Sequence, residues 1–373
     1  MKVGKILILS IFILQPWFLK GLIRPELLLC LFFVLYSVCL KKIAIPLNEL
    51  LIILFSFIIL LIPPLIHDTG ELDLVKKFIS LLVVIIGSYY IVVALKISKQ
   101  DLMSAIKLCV CFSLIFYLAS TQVELLRNIA LSFKGETYGI EDKLEVYRLW
   151  FPTSAHTFHL GLFFFLTTSL LLVEKESFIY ILMSLACASI SARSAMLMSI
   201  CICVIFVLIK DRKYLFMVII AIPVFYYAMT ILANEYVSVK YALEPLEQLI
   251  HSGTLQSKSS DELLQKHLYI PAVNSILFGD GMYSNPDGSF YGHSDSGIIR
   301  PILYGGIIFQ IGYLVFIYRF LSTLKQFHFL GAVVIISFFI ANVKAEIITA
   351  TPYFTLLVLL FYTTKNTNSS VRV

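Results

Sequence analysis

Of 373 residues, 59% are hydrophobic and 14% charged, with a net charge of +6 and a mean hydropathy of +0.91. Soluble domains carry about a quarter charged residues, so this composition excludes a water-soluble fold. The basic residues stand in short pairs at the ends of apolar runs rather than in one patch, which excludes nucleic acid as a partner and gives them a topological task.

In chain order, the apolar runs predict helices over 6–19, 26–40, 47–66, 78–95, 102–120, 156–173, 178–192, 194–209, 215–232, 297–318, 329–343 and 348–363. Runs such as 47–66, 78–95 and 215–232 are long enough to cross about 30 Å of hydrocarbon at about 1.5 Å per residue. They lack the alternation of a membrane barrel strand, so helices are the remaining way to satisfy every backbone amide in lipid. The expectation is an all-α polytopic membrane protein, one transmembrane domain over 1–373 with about 12 helices (11–13). The first run follows Lys2 and Lys5 as a signal peptide would, but Gln15-Pro16-Trp17 offers no small-residue cleavage site, so it reads as a retained helix.

Lys and Arg in short loops prefer the cytoplasm. Lys2/Lys5, Lys41/Lys42, Lys96/Lys99, Lys175, Lys210/Arg212/Lys213, Arg319/Lys325 and Lys365/Arg372 fall on one side of the alternating runs, which predicts both termini to be cytoplasmic. Lys20, Arg24 and the pair Lys76/Lys77 oppose this register. Two substantial loops then face outward, 121–155 and 233–296, and long connections of this kind tend to be functional. Within the second, Ser259 and Glu262 read as a capping box opening a helix over 260–268, and 244–251 reads as another short helix. Gly279-Asp280-Gly281 and Asn285-Pro286-Asp287-Gly288 are turn signals leading back into the membrane. No internal repeat is visible, which disfavours the repeat-built transporter folds. The seven cysteines all lie in apolar runs and read as small hydrophobes, with neither a disulfide nor a metal site implied.

Several residues are candidates for chemistry. Arg193 lies between two apolar runs in the turn Ser191-Ala192-Arg193-Ser194-Ala195. Its plainer reading is an interfacial side chain reaching the membrane surface; the functional one is a guanidinium facing a cavity and suited to bidentate pairing with phosphate. The stretch Gly292-His293-Ser294-Asp295-Ser296-Gly297, followed by Arg300, joins a turn, His, Asp and Arg at a membrane boundary. Ser294, Asp295 and Ser296 would also serve simply to cap the helix beginning near Gly297, and such a helix end can receive an anion. His156 and His159 share one helix face near Arg148 and Trp150, but without a third ligand they favour packing over zinc. Lys107 reads as a side chain reaching the membrane surface, and Lys344 and Glu346 as cavity lining or ordinary loop charges. His67, His251, His267 and His328 carry no constellation. The aromatic residues Tyr269, Tyr283, Phe290 and Tyr291 suit either stacking on sugar rings or anchoring at the membrane interface.

The Arg193 turn, the loop ending in Leu277-Phe278-Gly279-Asp280-Gly281, the run His293-Ser294-Asp295-Ser296-Gly297 and Gly305-Gly306 together resemble the Wzy-type polymerases of bacterial oligosaccharide repeat units and, more distantly, the O-antigen ligases. Ligases often carry His-Asn where this chain has His293-Ser294, which tilts the resemblance toward the polymerases. The resemblance implies transfer of a growing glycan from one polyprenyl pyrophosphate carrier to a sugar hydroxyl on another, at the periplasmic face of the bacterial inner membrane. It implies Arg193 and Arg300, then Arg148, as stabilisers of the departing pyrophosphate, with His156 and His159 beside the substrate. His293 or Asp295 would take the acceptor proton, the other orienting it. No cofactor and no metal are implied; the partners would be lipid-linked oligosaccharides, membrane lipid and a chain-length regulator protein. A flippase or transporter for the same lipid-linked glycans, or a ligase, is the alternative, with a membrane acyltransferase more distant.

Overall fold

The computed structural model describes residues 2–18, 23–39, 45–133, 150–155, 157–210, 263–347 and 350–370, with isolated positions between 223 and 253. The apolar runs form α1 (Lys2–Leu14), α2 (Pro25–Cys39), α3 (Leu47–Ile66), α4 (Asp73–Ala94), α5 (Lys99–Gln122), α6 (Glu124–Ser132), α7 (Thr157–Val173), α8 (Phe178–Ser191) and α9 (Arg193–Lys210). After a single π-helical turn at Leu263–His267 come α10 (Val273–Phe278), α11 (Ile299–Leu321), α12 (His328–Lys344) and α13 (Pro352–Ser370), with a 3-10 turn, Ser322–Phe327, joining α11 to α12. Every expected run except 215–232 coincides with a helix; most of that run lies outside the described residues, its described positions 223, 226, 227, 230 and 231 being helical, and the capping box at Ser259 and Glu262 lies outside them too. Positions 244, 247, 248 and 250 are helical, as expected for 244–251.

The chain is an all-α membrane protein, but the described residues do not hold twelve full spans. Leu47–Ile66, Asp73–Ala94, Lys99–Gln122 and the continuous stretch Ile299–Lys344 are long and apolar enough to cross a membrane, whereas Pro25–Cys39, Thr157–Val173, Phe178–Ser191 and Arg193–Ile209 are apolar but shorter. The difference is one of length, since a crossing takes about 20 residues at about 1.5 Å each. The expected outer loop 121–155 is also partly helical, because α5 runs on to Gln122 and α6 follows at once. There Arg127 reaches back to the carbonyls of Ser120 and Thr121 at the end of α5.

α7 and the first half of α13, apolar on nearly all sides, take the centre, as such segments must. Every residue of α7 from Leu160 to Leu172 is buried, and α13 is buried from Pro352 to Leu360 while touching α1, α4, α5, α7 and α11. Where polar groups enter this core they pair across helices: Thr167 and Thr168 of α7 both meet the Ser184 hydroxyl of α8, at 2.7 and 2.9 Å. By contrast α3 packs on α4 and α11 and turns Leu51, Phe55, Ile58 and Leu65 outward, the pattern of a face meeting lipid.

The charged groups collect at the two ends of the bundle. At one end Glu49 of α3 takes Arg319 of α11 and Lys365 of α13 (2.8 Å), and Lys99 of α5 pairs with Glu174 at 2.6 Å. At the other end α11 is broken. Gly305 (φ −139°, ψ 16°) and Gly306 (φ 75°, ψ −174°) leave the helical region, which frees the carbonyls of Leu303 and Tyr304. The amides of Asp280 and Gly281 fill that gap at 2.6 and 3.1 Å, so the Gly-Asp-Gly turn is docked into the helix break. Glycine is required on both sides of the joint: Gly306 has a left-handed φ and a Cβ there would strike the Leu277 carbonyl, while a Cβ on Gly279 (φ 75°) would stand 2.6 Å from the Tyr304 oxygen. The same turn is tied to the end of α3 by His67 Nε2 at the Phe278 carbonyl (3.2 Å) and by the Thr69 hydroxyl donating to the Gly281 carbonyl (2.8 Å).

Gly306→Ala should lower stability by about 2 kcal/mol or more, from a forced left-handed alanine and a steric clash. Gly312→Ala, in regular helix with nothing within 4 Å of its Cβ direction, should leave stability unchanged or raise it by up to about 1 kcal/mol. Thermal unfolding of the purified protein in detergent separates the two, and equal losses would remove the docked turn as the reason for the glycine.

Candidate functional site

The broken helix sets the site. Its short first segment, Ile299 to Tyr304, carries Arg300, whose side chain is only 4% exposed. The guanidinium carbon lies 3.8 Å from the ring centres of both Tyr283 and Phe290, two aromatic residues of the loop between the docked turn and α11. One nitrogen, Nη1, stands 3.4 Å from Glu346 Oε2, while Nε and Nη2 are buried without a hydrogen-bond partner. The Tyr283 hydroxyl donates to the same Glu346 oxygen and accepts from Lys77 Nζ at 3.3 Å. Lys77, in the first turns of α4, also stands 4.5 Å from the Tyr283 ring centre. Two cations thus share one carboxylate across a tyrosine.

Surrounding contacts fix this cluster. Asn342 of α12 donates to the Gly297 carbonyl at 2.9 Å and accepts the Ile347 amide at 3.2 Å, which ties the segment before Arg300 to the segment after Glu346. His159 Nε2, on α7, meets the Glu346 carbonyl at 2.9 Å, and its ring stacks on Tyr353. Glu71 receives the amides of Tyr283 (3.1 Å) and Asp73 (2.8 Å) on its two oxygens. Burial pushes the Glu71 carboxyl above its usual range. Burial, then the Glu346 charge, holds the Tyr283 phenol well above the ordinary tyrosine value, so it stays a neutral donor.

A groove of about 670 Å³ runs from this cluster along α3, α4 and α11. Lys77 and Glu346 line one end; Ile59, Phe78, Phe309 and Phe316 make its apolar walls; Arg319, Ser322 and Lys325 line the other end. From Phe309 to Arg319 the α11 wall rises about 15 Å. The shape suits an amphiphile with a long apolar chain and an anionic head.

A second polar pair sits on the exposed loop. His267 Nδ1 stands 3.4 Å from Asp295 Oδ1 and 3.0 Å from the His293 carbonyl, and the Ser294 hydroxyl donates to the His267 carbonyl at 2.7 Å. Asp295 therefore meets His267 rather than His293. The chain at His293 is left-handed (φ 53°), and it brings the His293 backbone, not its exposed ring, against His267. Burial raises the Asp295 carboxyl, against the lowering effect of His267. The expected side-chain cap does not form: α11 starts after Ile298 with no side-chain cap, and the Ser296 hydroxyl accepts the Ile298 amide at 3.2 Å in the turn that precedes the helix.

Arg193 begins α9 and pairs with Glu244, so its partner is a carboxylate of the chain. Its turn packs on α7, where Gly161 lies so close to Ala192 and Ala195 that a Cβ there would stand 2.7 and 2.8 Å from theirs. Gly161 lies two residues, about 3 Å of rise, beyond His159. Arg148 and His156 lie outside the described residues. Of the site residues, sequence reasoning did not single out Lys77, Glu71 or His267, and it named Glu346 only as possible lining. Lys77 did leave a trace, as a cation on the wrong side of the charge rule. Among the described residues no group of three His, Cys, Asp or Glu is placed to hold a metal ion. No family model, no curated protein and no solved structure matches the chain.

The folded Asp295 carboxyl keeps its proton to higher pH than the unfolded one, so the stability it contributes is complete below about pH 4 and is lost as pH rises through the folded value. Asp295→Asn should unfold with wild type below about pH 4 and at a higher temperature than wild type at pH 7. A less stable variant at pH 7 would mean that pairing with His267 outweighs the burial cost.

Proposed function

We propose that this protein is a membrane glycosyltransferase that polymerises lipid-linked oligosaccharide repeat units for a bacterial surface polysaccharide. The observation that carries the reading is the charged cluster at the head of an apolar groove: Lys77 and Glu346 line that end, and Arg300 stands against Glu346 with two guanidinium nitrogens unpartnered. A polyprenyl pyrophosphate fits that layout: its tail follows the groove and its phosphates meet the cations. In the transfer step the bond from the anomeric carbon to the phosphate oxygen breaks and a bond to the acceptor hydroxyl oxygen forms. Negative charge builds on the departing pyrophosphate, where Arg300 and Lys77 stabilise it most when it is greatest. The acceptor proton passes to His267, oriented by Asp295, on the loop that leads into Arg300.

In this reading the cluster end of the bundle is periplasmic and the end holding Glu49, Arg319 and Lys365 is cytoplasmic, as the charge rule favours with both termini inside. A chain-length regulator is the expected protein partner. A flippase would share the lipid substrate, and broken helices are the usual place for a transporter's cargo. Here the carbonyls freed by the break are already occupied by Asp280 and Gly281, which favours the transferase. A ligase would differ in acceptor.

The test is surface glycan length in cells whose own copy is replaced by wild type, Arg300→Ala, Lys77→Ala or Lys76→Ala, with membrane levels checked. Lys76 pairs with Asp73 on the surface and its loss should leave long chains intact. Arg300→Ala should cut transfer by about 100-fold, leaving single repeat units on the lipid core, and Lys77→Ala should shorten chains likewise. Loss of even the single unit, with precursor accumulating, would move the assignment to a flippase or ligase.

A further inference from the structure

We infer that Glu346 is a built-in counter-anion, which the anionic head of a ligand must displace from Arg300 and Lys77 and which therefore sets how tightly the site holds that ligand. The inference rests on the reading that these cations receive phosphate. Three features of the site carry it.

The first is the poor quality of the Glu346 contact. A well-matched arginine and carboxylate form two parallel hydrogen bonds at about 2.7 to 2.9 Å, yet Arg300 reaches Glu346 through one nitrogen at 3.4 Å and leaves Nε and Nη2 unpartnered in a buried position. Glu346 neutralises the guanidinium without satisfying it. The second is geometry: Glu346 lines the same groove end as Lys77, so an incoming head meets its carboxylate. The third is that Glu346 cannot leave. His159 binds its carbonyl and Asn342 binds the next amide, which leaves side-chain rotation as its freedom. Of the other acids near Lys77, Glu71 has both oxygens taken by backbone amides and Asp73 is engaged by Lys76 at 3.0 Å, so neither is free to replace it.

An empty site with two cations and no counter-charge would be costly away from water. Glu346 lowers the free energy of that empty state, and a phosphate that takes over the cations finds itself beside a displaced carboxylate. Binding becomes an exchange of one anion for another. The same exchange helps the spent carrier leave, because after transfer its pyrophosphate carries more charge than the donor did and would otherwise be held most tightly.

The experiment is equilibrium binding of a radiolabelled polyprenyl phosphate to the purified full chain in neutral detergent. Glu346→Gln should bind the probe about tenfold more tightly than wild type, a difference of about 1.4 kcal/mol. Glu346→Asp, which keeps the charge but shortens its reach, should fall between. Arg300→Gln should bind at least about tenfold more weakly. Misfolding weakens binding, so a gain in affinity cannot come from damage. If neither Glu346 variant binds more tightly while Arg300→Gln weakens binding, the counter-anion is overturned and the phosphate site stands. If Arg300→Gln binds as wild type does, the phosphate site fails and the counter-anion with it.

Discussion

A guanidinium cut off from water must be surrounded by groups that replace its hydration, and the end of the bundle that holds Arg300 is organised around that demand. Two aromatic faces at 3.8 Å and one carboxylate at 3.4 Å supply part of the replacement. Each aromatic face contributes about 0.5 to 2 kcal/mol, depending on how dry the contact is. None of these groups sits near Arg300 in the chain except through long loops: Tyr283 and Phe290 precede it across a turn, and Glu346 follows a whole helix later. Their convergence requires that the loop, α11 and the end of α12 be held in fixed relation, which is the work of Asn342 and of the turn seated in the break of α11.

The break itself shows how a helix can be interrupted at a membrane end without leaving backbone groups unsatisfied. Interrupting α11 at Gly305 and Gly306 frees two carbonyls, each of which would cost several kcal/mol in hydrocarbon (about the loss of a backbone hydrogen bond there). The amides of Asp280 and Gly281 satisfy them, and His67 and Thr69 then fasten the same turn to α3. One interruption thereby joins three otherwise separate elements and holds Arg300 against Tyr283, Phe290 and Glu346.

The helices were legible in the sequence because apolar runs in lipid admit few other structures; 47–66 was placed to the residue, and most others within a few. Whether a run is long enough to cross was not legible, since a helix of 14 residues such as α8 looks as apolar as one of 22 such as α4. Arg300 and Asp295 stood out as charges beside a membrane boundary. Their partners did not. His267 lies 28 positions before Asp295 and Glu346 lies 46 after Arg300, and no local period connects residues whose pairing depends on loops. Lys77 was visible only as a violation, a cation that a topological rule could not use. A residue that breaks a rule obeyed elsewhere in the chain is a fair place to look for one that serves a site.

The groove between α3 and α11 is open along its side: Val315, which lines it, is also 63% exposed on the lipid-facing surface. A molecule with a long apolar tail reaches such an opening by moving within the bilayer, in two dimensions, rather than through water. Occupancy then follows the mole fraction of that molecule among the surrounding lipids, and diluting the membrane with other lipid empties the groove even when the total amount in the sample is unchanged.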